Sequence, residues 1–358
     1  MNNNSKFKLL NRHYKRNKND VVNINKIIIH PNFNETLKEL SDLKIKLPKI
    51  GSHENWDFQI MLFPNSGNLV NSIGDIKPLK LNAENGHKWI KSEYPILAYD
   101  ESIQNFLALE GIAYLFSHAL VLHGEEDYIP SIYISFYFFT RAKSILDKSK
   151  YILESDNPSV DSKAIYASER KNFICNTVPE NSIILIDGPL IGGQISSITI
   201  DMNRRLLEKN VIPIFIVKNS ASNLVTQYIE GLKDLYNSDM HWCYNVLKTG
   251  ERTSFFSYID KYSKEKGKIF CYLKSFNGSP QRIELHVETF NKYHSYMNDL
   301  MDLVYYLMLA QGDFKNPQVR SIAIAEKFAR ESLKLFNFQL LMRKIGLKPT
   351  INESRFGG

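Results

Sequence analysis

Cysteine is scarce in this chain. Cys175, Cys243 and Cys271 are odd in number, far apart and without a Cys-x-x-Cys pair, which excludes a disulfide framework and a thiolate zinc site. A reducing, cytoplasmic compartment is therefore expected. Long apolar runs are missing too: no stretch of roughly 18 apolar residues occurs, so no membrane span is expected. The basic first 30 residues contain no apolar core of signal-peptide length, which leaves a soluble, non-exported protein as the expectation. With only 17 Gly and 13 Pro in 358 residues and no visible internal repeat, low-complexity and collagen-like chains are excluded.

What is present is core-forming material. The chain is 43% hydrophobic, with 19 Tyr and 21 Phe, enough for one large domain with additions or for two domains. The net charge of +7 suggests a polyanionic partner, but its distribution weakens that reading. Lys6, Lys8, Arg12, Lys15, Arg16 and Lys18 stand against Asp20 alone in the first 20 residues, and the remaining body is nearly balanced. Such an arm is either a solvated tail or an extension that contacts phosphates.

Three segments follow from texture. Residues 1–90 read as a basic arm and polar leader, with one helix over Asn34 to Lys44 and loops around Pro48, Gly51, Pro64 and Gly67. Residues 91–290 read as a core. Its first part, "YPILAYDES", "FLALEGIAYLFSHALVLHG" and "SIYISFYFFT", is aromatic and β-branched and predicts an antiparallel meander. A helix is predicted over Ser159 to Cys175, then strand "SIILID", helix "SSITIDMNRRLLEKN", strand "VIPIFIVKNS" and helix "ASNLVTQYIEGLKDLY". That alternation implies parallel strands joined by right-handed crossovers. Strands return between Thr253 and Glu288, and residues 291–358 read as a helical C-terminal region.

In a parallel α/β sheet, chemistry sits at the carboxyl ends of the strands. Asp187 ends the apolar run Ile183 to Ile186, and Asp100 ends "ILAY" in the same way, while Glu169 lies on the intervening helix. Three carboxylates arriving from strand, helix and strand suit a hard divalent cation such as Mg²⁺ or Mn²⁺. Taken singly, each acid reads equally as a strand-end turn former or a helix-surface charge.

The order of a strand-end acid, further strands, a helical Glu and a second strand-end Asp resembles the ribonuclease H-like nucleases. More specifically, "ILAYDES", "IILIDGPLI", "IPIFIVKNSASNL", "LKTGERTSFF" and "IFCYLKSFNGSPQRIEL", in that order from Ile96 to Glu284, resemble the NurA family of DNA nucleases. The resemblance implies a ribonuclease H-like mixed α/β sheet flanked by helices, with an N-terminal extension and a helical C-terminal region. It implies that Asp100, Glu169 and Asp187 are catalytic carboxylates binding Mn²⁺ or Mg²⁺, that Lys218 and Arg252 contact phosphate, and that Asp239 and Glu284 support the site. Tyr272 matches a family segment in which strand packing is the expected role. The resemblance further implies phosphodiester hydrolysis without sequence preference on DNA ends or single strands. A homodimer working with a HerA-type hexameric ATPase, in end processing or anti-phage defence, follows from it as well. Two departures stand out: Glu101 occupies a position where the family usually reads Gly, and "AIAEKFARES" puts Glu326 near the place of a late His or Asp. Both keep open a catalytically degenerate, DNA-binding adaptor.

Other chemistry is less well supported. "GPLIGGQI" has the glycines of a phosphate-binding loop, but Gln194 and Ile195 stand where Lys and Ser or Thr are needed. An actin-like kinase would require Gly-rich hairpins that "YDESIQNF" lacks. His118 and His123, five apart on a strand, point to opposite faces and read as structural histidines.

Overall fold

The computed structural model describes residues 32–45, 69–91, 94–123, 128–146, 149–227, 232, 234–260, 263–311 and 317–351. The basic arm and the loops expected around Pro48, Gly51, Pro64 and Gly67 lie outside the described residues. The chain divides into two units, residues 1–49 and 50–358. In the first, helix α1 (Asn32–Asp42) matches the helix expected from the Leu spacing.

The second unit is built on one large sheet. Its strands are β1 (Leu69–Ile73), β2 (Leu79–Lys80), β3 (Ile96–Ala108), β4 (Gly111–His123), β5 (Tyr128–Thr140), β6 (Ile152–Glu154), β7 (Ile183–Asp187), β8 (Ile212–Val217), β9 (Glu251–Arg252), β10 (Phe255–Ile259), β11 (Lys268–Lys274) and β12 (Gln281–His286). Helices are α2 (Ala83–Ile90), α3 (Pro158–Thr177), α4 (Ser196–Glu208), α5 (Asp239–Val246), α6 (Val287–Lys292), α7 (Met297–Gln311), α8 (Arg320–Lys334) and α9 (Phe338–Lys344).

The strand order is β1-β10-β11-β12-β8-β7-β3-β4-β5-β6. β3, β4 and β5 form the expected antiparallel meander. Gly111 starts β4 because a side chain there would collide with the Phe139 carbonyl, 2.1 Å from the Cβ position. β7 then pairs parallel with β3, and β8 parallel with β7. A meander whose first strand receives later parallel strands on its other side is the ribonuclease H-like arrangement.

Both faces of the central strands are covered, which explains why "IILI" and "IPIFIV" are continuous apolar runs. Alternate residues Ile96, Ala98, Ile183, Leu185, Ile214 and Ile216 pack on one face with Leu300 and Val304 of α7 and Ile322 of α8. Leu97, Tyr99, Ile184, Ile186 and Phe215 pack on the other with Ile174 of α3 and Met202 and Leu206 of α4.

Two expectations are corrected. The leader contributes to the sheet: β1 pairs with β10 and β2 with β9, while Asn85 of α2 donates to Asp299 and Asp302 of α7 at 2.8 and 2.9 Å. Residues 221–227 are coil and turn rather than helix. Buried Asp239 holds them so, accepting from the backbone N–H groups of Val225 and Thr226 and from the Thr226 hydroxyl at 2.8–3.0 Å. Side-chain acceptors of this kind compete with helical hydrogen bonds.

Candidate active site

Parallel pairing of β3 with β7 ends at Tyr99 and Ile186, so the next residues, Asp100 and Asp187, emerge side by side from the sheet. β3 itself does not stop at Asp100, as the sequence suggested; it runs on to Ala108 along β4. By alternation, both acids lie on the face that carries Ala98 and Leu185, the face covered by α7 and α8. One residue beyond β8, Lys218 places its ammonium 3.1 Å from Asp187 Oδ2 and 3.7 Å from Asp100 Oδ2. From α8, Glu326 Oε2 comes within 3.5 Å of the same ammonium.

Asp100 is only 5% exposed. Its Oδ1 accepts from the Glu101 backbone N–H at 2.7 Å, whereas its buried Oδ2 has no hydrogen-bond partner. Burial and, second, the charge of Asp187 push its pKa up to about 8. Burial also raises Asp187, in spite of the attraction of Lys218. For Lys218, burial works against the charge, but Asp187 and Asp100 outweigh it and the ammonium titrates above its ordinary value. The pair therefore carries more negative charge, when ionised, than one lysine relieves.

Glu169 sits elsewhere. Its carboxylate accepts from Ser135 at 2.5 Å, Tyr137 at 2.7 Å and Tyr133 at 3.3 Å, and His118 Nε2 lies 3.7 Å away. Burial opposes ionisation, but the nearby His118 imidazole and the hydrogen bonds from Ser135 and Tyr137 win and hold its pKa below the ordinary value. Among the described residues, no hydrogen bond or ion pair joins it to Asp100 or Asp187. A chain does lead from it toward them: His118 Nδ1 is 2.6 Å from the Tyr99 hydroxyl, which donates to Glu101 Oε2 at 2.5 Å. Arg170 Nη1 stands 3.9 Å from Glu101 Oε1. His118 is fully buried, and its Nε2 makes no hydrogen bond.

Three further residues named from sequence lie apart from the pair. Arg252, on β9, donates to the Thr253 carbonyl and to Asn298 Oδ1, with its guanidinium 4.4 Å from the Phe255 ring centroid. Asp239 holds the 225–226 turn and accepts from the Tyr272 hydroxyl at 2.7 Å. Glu284 is fully buried, bonded to Lys268 and Arg282 and accepting from the Leu190 backbone N–H at 2.8 Å. Reasoning from sequence missed Ser135, Tyr137 and Tyr99, which carry no motif; only the paired register of β3, β4 and β5 places them.

The family model for the NurA domain matches residues 110–330. The chain belongs to the NurA family. None of the curated proteins matches it. Among solved structures, it is similar to the NurA nuclease from Sulfolobus solfataricus, with 12% identity, 75% of this chain and 88% of that one covered, and a TM-score of 0.46. A NurA structure bound to dAMP and manganese matches with 9% identity, 70% and 85% coverage and a TM-score of 0.40. Ciona intestinalis endonuclease V in complex with DNA matches with 12% identity, 77% and 92% coverage and a TM-score of 0.34. Membership rests on the family model, which spans more than half of the chain; likenesses of this size add no argument.

Membership in NurA brings the question of a divalent ion. Among the described residues no three His, Cys, Asp or Glu side chains are gathered to hold one. Two carboxylates are nonetheless a sufficient protein contribution for Mg²⁺, which keeps several waters and takes phosphate oxygens as further ligands. The buried Oδ2 of Asp100, without a hydrogen bond and with only the Lys218 ammonium 3.7 Å away, fits such an ion beside Asp187. No helix among the described residues is long and apolar enough to cross a membrane.

Proposed function

We propose that this NurA-family chain is a metal-dependent DNA nuclease that hydrolyses phosphodiester bonds without sequence preference. The observation that carries the reading is the juxtaposition of Asp100 and Asp187 at the end of the parallel β3–β7 pair, with one acid oxygen buried and without a hydrogen bond.

Asp100 and Asp187 would hold Mn²⁺ or Mg²⁺. When bound, such an ion lowers the pKa of a coordinated water and stabilises charge on the phosphate. Lys218 is placed to neutralise the acids, and its ammonium would lie within reach of a phosphate oxygen at the same site. Glu326 supplies a third carboxylate at the same ammonium, at the place where the sequence departs from the family pattern. Glu169, expected as a metal ligand, is proposed instead to anchor the His118–Tyr99–Glu101 chain; Asp239 and Arg252 keep structural roles. None of these groups reads a base, so affinity would come from phosphate contacts and fall steeply with salt.

The wider setting is proposed with it: a cytoplasmic homodimer acting on DNA ends or single strands beneath a HerA-type hexameric ATPase. The core of residues 91–290 is completed by the helical region 291–358, and residues 69–90 serve the sheet edge. The adaptor alternative gains support from Glu169 being engaged by Ser135, Tyr137 and Tyr133 rather than by the acid pair, and from Lys218 standing among the acids. To decide, labelled linear single- and double-stranded DNA is incubated with the protein and Mn²⁺, Mg²⁺ or EDTA, alone and with a HerA-type ATPase. Cleavage with metal and none with EDTA supports the nuclease; DNA or ATPase binding without cleavage under any condition leaves the adaptor.

A further inference from the structure

The residues after Asp187 and those after Lys218 belong to different loops, and both are tied to β12. Leu190, three residues beyond Asp187, donates its backbone N–H to Glu284 Oε2 at 2.8 Å. Ser220 and Ser222, just beyond Lys218, accept from Arg282 Nη1 at 2.7 and 2.5 Å. The two anchors are joined: Arg282 Nε donates to Glu284 Oε1 at 2.7 Å, and Lys268 Nζ donates to the same oxygen at 2.5 Å. Glu284 is 0% exposed and Lys268 and Arg282 are 4% and 5% exposed.

A buried charge cluster of this kind is a costly way to stabilise a sheet, since apolar residues of similar volume do as well or better. It does supply direction. Each loop end is fixed by hydrogen bonds to charged groups, which are shorter and stronger than neutral ones. Gly188 N–H also donates to the Ile216 carbonyl at 2.9 Å, so the two strands cross-link just below the loops.

We propose that Glu284 and Arg282 are positioning residues: they form a clamp that holds the Asp187 loop and the Lys218 loop in fixed relation, and thereby sets the spacing of the acid pair and the ammonium. The clamp touches neither substrate nor ion, and its use for catalysis rests on the nuclease reading. Side chains that orient a ligand from behind change metal affinity or activity by roughly 10- to 100-fold when removed.

The experiment uses the full chain and two variants. Ser220→Ala/Ser222→Ala cuts the clamp from the Lys218 loop without leaving a buried charge unpaired. Glu284→Gln keeps the side-chain shape and weakens the Leu190 anchor. Amide hydrogen exchange is followed at Leu190 and through residues 218–222, Tm is recorded, and Mn²⁺ half-saturation and kcat are measured. In the double Ser variant we expect Tm to stay close to wild type, exchange to accelerate at least several-fold in residues 218–222 and also at Leu190, and Mn²⁺ half-saturation to rise roughly 10-fold. Unchanged exchange at Leu190 in the double Ser variant overturns the clamp, whatever the activity. Coupled exchange in a wild type that binds no Mn²⁺ and cuts no DNA upholds the clamp and removes the nuclease reading.

Discussion

Replacing Lys218 by Met probes the electrostatics of the acid pair most sharply. The ammonium lies 3.1 Å from Asp187 Oδ2, 3.7 Å from Asp100 Oδ2 and 3.5 Å from Glu326 Oε2. At such separations and an effective dielectric near 20, each unit-charge contact amounts to about 4 kcal/mol before desolvation is subtracted. Lys218 and Asp187 are a quarter exposed, and the acids can escape by taking up a proton, so the net loss for the metal-free protein is about 2–3 kcal/mol. For a chain of this size that corresponds to roughly 3–4 °C in Tm. The sign follows from protonation. Below the ordinary Asp value, near about 4, both acids are neutral folded or unfolded, and Lys218 has little to offset. As pH rises, the acids ionise and the missing cation is felt. The deficit of the Met variant is therefore small near pH 4, grows toward pH 8 and shrinks when Mn²⁺ is added. Thermal unfolding of both proteins in EDTA and in Mn²⁺ across that range is the assay. A deficit of the same size at every pH would refute the reasoning, because the lysine would then contribute by packing alone.

Three further outcomes follow from the same geometry. With the Asp100 pKa pushed up to about 8, an ion must displace a proton below that pH, so Mn²⁺ affinity measured by calorimetry should rise about 10-fold per pH unit between 6 and 8 and level off above; a flat profile would place the ion elsewhere. Glu169→Gln should cost about 1–3 kcal/mol by denaturant titration at neutral pH, since three hydroxyls lose a charged acceptor. The Glu169 pKa is lowered in the fold, so its contribution is present above the ordinary Glu value and is lost as pH falls through the folded value; a penalty that persists at pH 3 would contradict the assignment. Gly111→Ala puts a Cβ 2.1 Å from the Phe139 carbonyl and should destabilise by about 3 kcal/mol in the same titration, whereas no change would mean that the β4–β5 pairing is looser than described.

The sheet was legible in the sequence wherever burial is two-sided. "ILAY", "IILI" and "IPIFIV" are apolar without alternation because helices cover both faces, and the acids that follow two of those runs are the pair where the β3–β7 pairing ends. Lys218 was legible only as a motif match expected at phosphate, and Glu326 only as a departure from one; their meeting at the acid pair was not. Glu169 shows the limit: its place on a helix was readable, but its direction is set by three hydroxyls on β4's neighbour β5 and by His118 on β4, contacts between segments far apart in the chain. The 221–227 segment failed for a similar reason. Its helical pattern is overridden by the acceptors of Asp239, a residue more than ten positions away. The β1 and β2 strands are only five and two residues long, too short for a pattern of their own, and pairing with β10 and β9 makes them strands.

The central claim is that Asp100 and Asp187 together hold the divalent ion of a DNA nuclease. It is met most directly by measuring Mn²⁺-dependent cleavage of end-labelled linear DNA by wild type, Asp100→Asn and Asp187→Asn, each with its Mn²⁺ binding followed in the same samples. The account predicts metal-dependent cleavage by the wild type, and in each variant a loss of at least 100-fold in rate together with weakened Mn²⁺ binding. Wild-type rates and wild-type Mn²⁺ binding in either folded variant would contradict it.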